Sequence, residues 1–86
     1  MYRKRFSASG VSINSNYILD ASLNINSVDM CLYLNGVVEI NGTAFWQTPL
    51  TTGYVTRLAM DNSGLLLSIT NYTVTKYFVE IVYTKA

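Results

Sequence analysis

The stretch from Val28 to Thr43 reads VDMCLYLNGVVEINGT and predicts the fold class of the chain. Its first part, Val28 to Leu34, alternates between two sets of side chains, as in a β-strand with two different faces. Asn35-Gly36 follows, and then a second β-forming run, Val37 to Ile40. An Asn-Gly pair between two such runs favours a type I′ turn, in which both central residues take positive φ. We therefore expect a β-hairpin centred on Asn35-Gly36.

Both faces of the predicted hairpin are largely apolar. In its register Tyr33 faces Val38 and Cys31 faces Ile40, while Leu34 and Val37 lie on the opposite face. A small domain covers one apolar face with its own core, and a second apolar face needs another cover. We therefore expect Tyr33, Val38 and Ile40 to lie at a subunit interface, and Cys31 to act as a small buried hydrophobe.

Turn signals recur along the rest of the chain at roughly 8–12-residue spacing, which is typical of antiparallel sandwiches and barrels. The predicted elements are an edge strand Arg3–Ala8, a half-buried strand over 20–27, a turn or bulge at Asn41-Gly42, a strand Thr43–Thr48 ended by Pro49, a hairpin over 54–70 with its turn at Asp61-Asn-Ser-Gly64, and a closing strand Tyr77–Tyr83. The expected fold is all-β: a single domain over residues 1–86, forming a small antiparallel β-sandwich, jelly-roll-like or immunoglobulin-like.

The composition indicates which kinds of partner to expect. Only 13% of the 86 residues are charged and the net charge is +1, against roughly 25% charged residues in a typical domain. A polar but weakly charged surface suits burial against other proteins. Nucleic acid is not an expected partner, and Arg3-Lys4-Arg5 reads as a solvated strand, with a weak contact to phosphate or an acidic partner as the alternative. No apolar run approaches the ~18 residues of a membrane span, so membrane insertion is not expected.

The chain offers little catalytic chemistry. It has no histidine and one cysteine, so a nucleophile would lack the usual base, and its acidic residues form no opposed pair. We expect no catalytic residue, no metal and no cofactor, and hence no enzyme. The candidate ligand residues are Trp46 and Tyr54, which could stack on a sugar, with core filling as the alternative for Trp46.

Three segments resemble the small β-rich modules of bacteriophage tail fibres and tailspikes. Val28–Val37 is similar to a V-D-V-Y-L-N-G-V hairpin of those modules, and Tyr54–Ile69 to their loop and hairpin. Tyr77–Tyr83 is similar to their closing V-E-V-V-Y strand, although Thr75-Lys76 stands where the family has Gly-Asp. The resemblance covers residues 28–84.

This resemblance implies a β-sandwich that assembles as a homotrimer in the virion, beside other virion proteins. The implied role is structural or adhesive toward the host, with no catalytic residues to carry over. We therefore expect a non-enzymatic, self-associating virion structural protein of a tail fibre, spike or capsid-associated assembly. The alternative is a carbohydrate-binding module that recognises a host-surface glycan.

Overall fold

The computed structural model describes residues 1–48 and 56–86, and all regular structure in these residues is β-strand. The strands are β1 (Tyr2–Ile13), β2 (Tyr17–Asp20), β3 (Val28–Ile40), β4 (Ala44–Thr48), β5 (Thr56–Asp61), β6 (Gly64–Ile69) and β7 (Val74–Lys85). They form two antiparallel sheets, a larger one with the order β1-β7-β3-β4 and a smaller one with the order β2-β6-β5. The prediction of a small all-β sandwich is confirmed.

The predicted hairpin at Asn35-Gly36 is wrong, because β3 runs through both residues without turning. Asn35 pairs with Glu80 and Gly36 pairs with Val79 on β7, while Gly36 also pairs with Thr48 on β4. Gly36 faces the core, where an added Cβ would lie 2.6 Å from the carbonyl oxygen of Phe78. This glycine therefore permits close strand approach and does not serve a turn.

The turn after β3 lies at the second Asn-Gly pair, Asn41-Gly42. Asn41 and Gly42 have φ values of 53° and 71°, as a type I′ turn requires. The backbone N–H of Thr43 closes the turn by donating to the carbonyl of Ile40 at 2.9 Å. Asn41 is also tied to Thr73, whose backbone N–H donates to Asn41 Oδ1 at 3.0 Å. The predicted turn at Asn41-Gly42 is thus confirmed.

The continuous course of β3 changes which side chains reach the surface. Val38 and Ile40 point into the core, where they are 0% and 2% exposed. Tyr33 and Val37 lie on the opposite, outer face of the strand and are exposed. The prediction that Val38 and Ile40 share an exposed face with Tyr33 is therefore wrong, because strand alternation without a turn separates even-numbered from odd-numbered residues here.

Residues 21–27 form a series of turns and bends after β2, so the predicted strand over 20–27 is wrong beyond Asp20, the last residue of β2. The polar side chains of 20–27 bond to nearby backbone: Asp20 Oδ1 accepts from the Ser22 N–H at 2.9 Å, and Asn24 Oδ1 accepts from the Asn26 N–H at 2.9 Å. Such local bonds compete with a strand ladder. Leu23, only 3% exposed, anchors the segment in the core.

The other predicted strands are present. Arg3–Ala8 lies within edge strand β1, Thr43–Thr48 corresponds to β4, and Tyr77–Tyr83 lies within β7. β5 and β6 form the second hairpin, in which Asp61 pairs with Gly64 across the turn. Pro49, the predicted end of β4, and Tyr54, the predicted start of the second hairpin, lie outside the described residues.

Two buried clusters fill the space between the sheets. One contains Ile13, Val38, Ile40, Leu58, Leu67, Ile69, Val74 and Val79, and the other contains Leu23, Val28, Leu65, Ile81 and Tyr83. The sheets differ in length, because β1, β3 and β7 have 12 or 13 residues and the strands of the smaller sheet have 4 to 6. Part of the inner face of the larger sheet therefore extends beyond the smaller sheet.

Candidate functional site

The outer face of the larger sheet carries exposed apolar side chains on three neighbouring strands. Val37 on β3 pairs with Phe78 on β7, and Phe45 on β4 pairs with Glu39 on β3, so their side chains share one face with Tyr33. The exposed fractions are 46% for Tyr33, 43% for Val37, 67% for Phe45 and 47% for Phe78. We call these four residues the outer patch. An apolar group of this kind marks a surface for interaction.

Two shallow depressions flank the Val37–Phe78 pair at the centre of the outer patch. One, of about 140 Å³, lies toward Tyr33 and Glu80. The other, of about 190 Å³, lies toward Phe45 and Ala8 and is almost entirely apolar. The surface is therefore uneven, with recesses of the size that a side chain of a partner can enter.

Charged groups beside the outer patch are paired within the protomer. Glu80 Oε2 accepts from Arg5 Nε at 2.7 Å and lies 3.7 Å from Arg3 Nε. Glu39 Oε2 lies 3.7 Å from Lys76 Nζ, and its Oε1 accepts from the Thr75 hydroxyl at 2.7 Å. The arginine and lysine side chains of these pairs are more than half exposed, so each pair contributes little to stability. Their importance for a contact surface is that both carboxylates already have partners.

Trp46 is partly buried and faces inward. It pairs with Val38 on β3 and packs against the core cluster that contains Val38. Its ring makes an edge contact with Tyr72, with centroids 5.0 Å apart and planes at 71°. The structure thus places Trp46 at the border of the core, as the core-filling alternative predicts. Tyr54, the other candidate for sugar stacking, lies outside the described residues.

Cys31 is exposed, and its prediction as a buried hydrophobe is wrong. It pairs with Tyr83 on β7, and the register shifts between Cys31 and Tyr33. Its thiol makes a weak contact with the carbonyl oxygen of Tyr33 at 3.7 Å. The bulge between Cys31 and Tyr33, which the sequence alternation does not reveal, puts Cys31 on the inner face with its partner Tyr83. There it lines a surface depression with Ile25, Val28 and Met60, and it stays accessible to solvent.

The acidic side chains are dispersed. Asp20 accepts a hydrogen bond from the Ser22 hydroxyl at 2.6 Å, which lowers the pKa of this carboxyl, against the opposing effect of burial. Asp61 accepts from the Ser63 N–H in the β5–β6 turn at 2.7 Å. Within residues 1–48 and 56–86, no group of three His, Cys, Asp or Glu side chains could hold a metal ion. The same residues contain no helix long and apolar enough to cross a membrane.

Fold and surface together define a small β-sandwich with an exposed apolar sheet face. Comparison of the chain with protein-family models, curated proteins and solved structures finds no match.

Of the three interface residues predicted from sequence, only Tyr33 lies on the outer patch, and the sequence reasoning missed Val37, Phe45 and Phe78. The sequence does contain a signal for Phe78. One face of the closing strand carries the apolar residues at odd positions, Tyr77, Val79, Ile81 and Tyr83, and Phe78 lies on the other face. With the stronger apolar set facing the core, Phe78 must face outward.

Proposed function

We propose that this protein is a non-enzymatic structural module that associates with further copies of itself through the outer patch. The observation that carries the proposal is the exposure of two phenylalanines, a tyrosine and a valine on one sheet face. Aromatic residues are enriched at the centres of protein interfaces, and burying them removes apolar area from water. Exposed in isolation, such a face would favour aggregation.

A second copy is the occupant that the charges favour. The outer face carries both signs, with Arg3 and Arg5 beside Glu80, and Lys76 beside Glu39. A face of mixed sign is not complementary to a strongly acidic or basic partner, and the net charge of +1 causes little repulsion between copies. Because Glu39 and Glu80 are already paired, a second copy can cover this face without burying a lone carboxylate.

Shape agrees with a contact between copies. Phe45 is the most exposed member of the outer patch and lies on the edge strand β4. The depression of about 190 Å³ beside Val37 and Phe78 can receive an aromatic ring. In our proposal, Phe45 of one copy enters this depression in its neighbour.

The resemblance of residues 28–84 to tail fibre and tailspike modules supports a more specific proposal. In this proposal the assembly is a homotrimer in the virion, in a fibre, spike or capsid-associated structure, with other virion proteins as neighbours and host attachment as its purpose. The likeness is one of sequence pattern, since Val28–Val37 here belongs to one strand and forms no hairpin.

The second candidate function is recognition of a host-surface glycan. The observation that favours it is the Trp46–Tyr72 pair, in which the Tyr72 residue is 38% exposed beside the indole. Because Trp46 is the single tryptophan, titrating a panel of sugars while recording tryptophan fluorescence tests it directly. A saturable change that a Tyr72→Ala variant loses supports glycan binding, and unchanged fluorescence across the panel contradicts it.

Self-association is tested by light scattering on the wild-type chain and on Val37→Asp. We expect the wild type to have a mass above that of the monomer, and Val37→Asp to shift to the monomer because a carboxylate would be buried at the contact. The matched control is Ile18→Asp, at an equally exposed strand position of the smaller sheet, 41% against 43%. A wild type that stays monomeric at high micromolar concentration, or equal effects of both variants, contradicts the proposal.

A further inference from the structure

The inner face of the larger sheet forms a cleft of about 400 Å³ where it extends beyond the smaller sheet. Tyr2 and Lys4 on β1 and Tyr83 and Lys85 on β7 line one side, and the turn segment contributes the opposite side through Ser22, Leu23 and Ser27. Ligand sites for small molecules have volumes of this order, with apolar walls and a few polar groups.

The charged side chains that line the cleft are positive, and one of them is paired with a neighbouring carboxylate. Of the described residues that line the cleft, Lys4 and Lys85 are charged and none has a carboxylate side chain. Lys4 Nζ lies 3.4 Å from Asp20 Oδ2, so Asp20 offsets part of its charge and engages one of its three N–H donors. Lys85 Nζ lies 4.4 Å from the centroid of the Tyr2 ring, which is a cation–π contact rather than an ion pair.

The uncharged part of the wall consists of aromatic and aliphatic groups and two serines. The Tyr2 and Tyr83 rings stack with centroids 5.6 Å apart, and Tyr83 and Leu23 are each only 3% exposed. The hydroxyls of Ser22 and Ser27 donate inside the protein, to Asp20 Oδ1 and to the Ser22 carbonyl, both at 2.6 Å. The donors left for a ligand anion are therefore chiefly the two ammonium groups.

From this arrangement we infer that the cleft binds a small carboxylate with an apolar body. The carboxylate lies between the ammonium groups of Lys4 and Lys85, and the apolar body lies against the Tyr2 ring, the exposed apolar part of the wall. The cleft faces the inner side of the sheet, and the outer patch faces the other side. Binding here is therefore independent of the self-association proposed above.

The test is an NMR titration of the ¹⁵N-labelled chain with benzoate, in a buffer of low ionic strength without other carboxylates. We expect saturable shifts confined to the amides of β1, β7 and the 21–27 turn. Benzamide, which has the same shape without the charge, should give no saturable shift. The neutralising variant Lys85→Gln should weaken benzoate binding by about tenfold or more, because a charge-assisted bond to a carboxylate is lost.

The matched control is Lys76→Gln, at an exposed lysine on the outer face, which should bind benzoate like the wild type. An absence of saturable shifts with benzoate overturns the inference. Equal binding of benzamide, or an unchanged affinity in Lys85→Gln, also overturns it. Both substituted residues, Lys85 and Lys76, are exposed strand positions, so the ¹⁵N spectrum of each variant reports its folding in the same experiment.

Discussion

The Cβ position of Gly36 lies 2.6 Å from the carbonyl oxygen of Phe78, closer than any real side chain tolerates. This relationship explains why a strand that runs continuously from Val28 to Ile40 contains a glycine near its centre. It also fixes how near β3 and β7 approach beneath the outer patch, since Phe78 is itself a member of that patch. The glycine that suggests a turn in the sequence is a packing residue in the fold.

Gly36→Ala should destabilise the protein. The new methyl group would meet the Phe78 carbonyl and the Cγ2 atoms of Val79 and Thr48, at 3.0 and 3.2 Å. Overpacking of this kind costs about 1–3 kcal/mol, which urea unfolding would measure. Ser7→Ala, at an exposed position of β1, should change stability by less than about 0.5 kcal/mol. A Gly36→Ala variant as stable as the wild type would show that β3 and β7 do not approach as described.

The two Asn-Gly pairs should respond differently to a β-branched residue. Asn35 lies within a strand, so Asn35→Val should cost no more than the one hydrogen bond that Asn35 Oδ1 accepts from the Gly36 N–H at 2.8 Å, about 1 kcal/mol. Asn41 has a φ of 53°, where valine is strongly disfavoured, and it also accepts a hydrogen bond from Thr73. Asn41→Val should therefore cost about 2 kcal/mol or more. Thermal unfolding measures both variants. If Asn35→Val were the less stable of the two, the turn would lie at Asn35-Gly36 instead.

The sequence predicts the fold class and most strands because alternation and turn chemistry are local. Such signals correctly predict β4, the β5–β6 hairpin turn and the closing strand. The location of the turn after β3 does not, because Asn35-Gly36 and Asn41-Gly42 carry the same local signal and only tertiary contacts separate them. The need for a glycine at position 36 comes from the Phe78 carbonyl, which is 42 positions away in the chain.

The candidate site also contains residues that local sequence signals place correctly and residues whose face depends on tertiary contacts. Once a turn is placed at Asn35-Gly36, the faces of Val37, Val38 and Ile40 are all assigned in reverse, since one misplaced turn changes the parity of every residue after it. Tyr33, which precedes the turn, is unaffected. The strand prediction for 20–27 fails for another reason, because alternation with Asn and Ser is compatible both with a strand and with a run of Asx turns.

Cys31 should be reactive in the folded protein. It is exposed, and its thiol has only a weak contact with the Tyr33 carbonyl. We expect a thiol reagent such as Ellman's reagent to modify one thiol per chain under native conditions, at a rate similar to that in urea. Protection that disappears only on unfolding would mean that Cys31 is buried after all.

Ser22→Ala should weaken the folded state in a pH-dependent manner. The Ser22 hydroxyl is the main cause of the lowered pKa of Asp20. A carboxyl whose pKa is lowered by folding stabilises the protein above its ordinary pKa, and this contribution is lost as the pH falls through the folded-state pKa. The variant should lose about 0.5–1 kcal/mol at neutral pH, and the difference from wild type should shrink below about pH 4, near the ordinary value of 3.8.

Urea unfolding at several pH values measures this difference. The control is Ser63→Ala, since Asp61 accepts from the backbone N–H of Ser63, which the substitution keeps. A Ser22→Ala deficit that persists undiminished in acid would show that the hydroxyl acts on the turn by some route other than the ionised Asp20.

Photo-cross-linking tests the proposed contact between copies of this protein at the outer patch. A photoreactive benzoylphenylalanine in place of Phe78 should give a covalent oligomer on illumination, with cross-linked peptides from β3, β4 or β7 of a second copy. The same residue in place of Ile18, on the smaller sheet, should give monomer. Illumination that leaves the Phe78 variant monomeric, or equal cross-linking from both positions, would contradict the proposal.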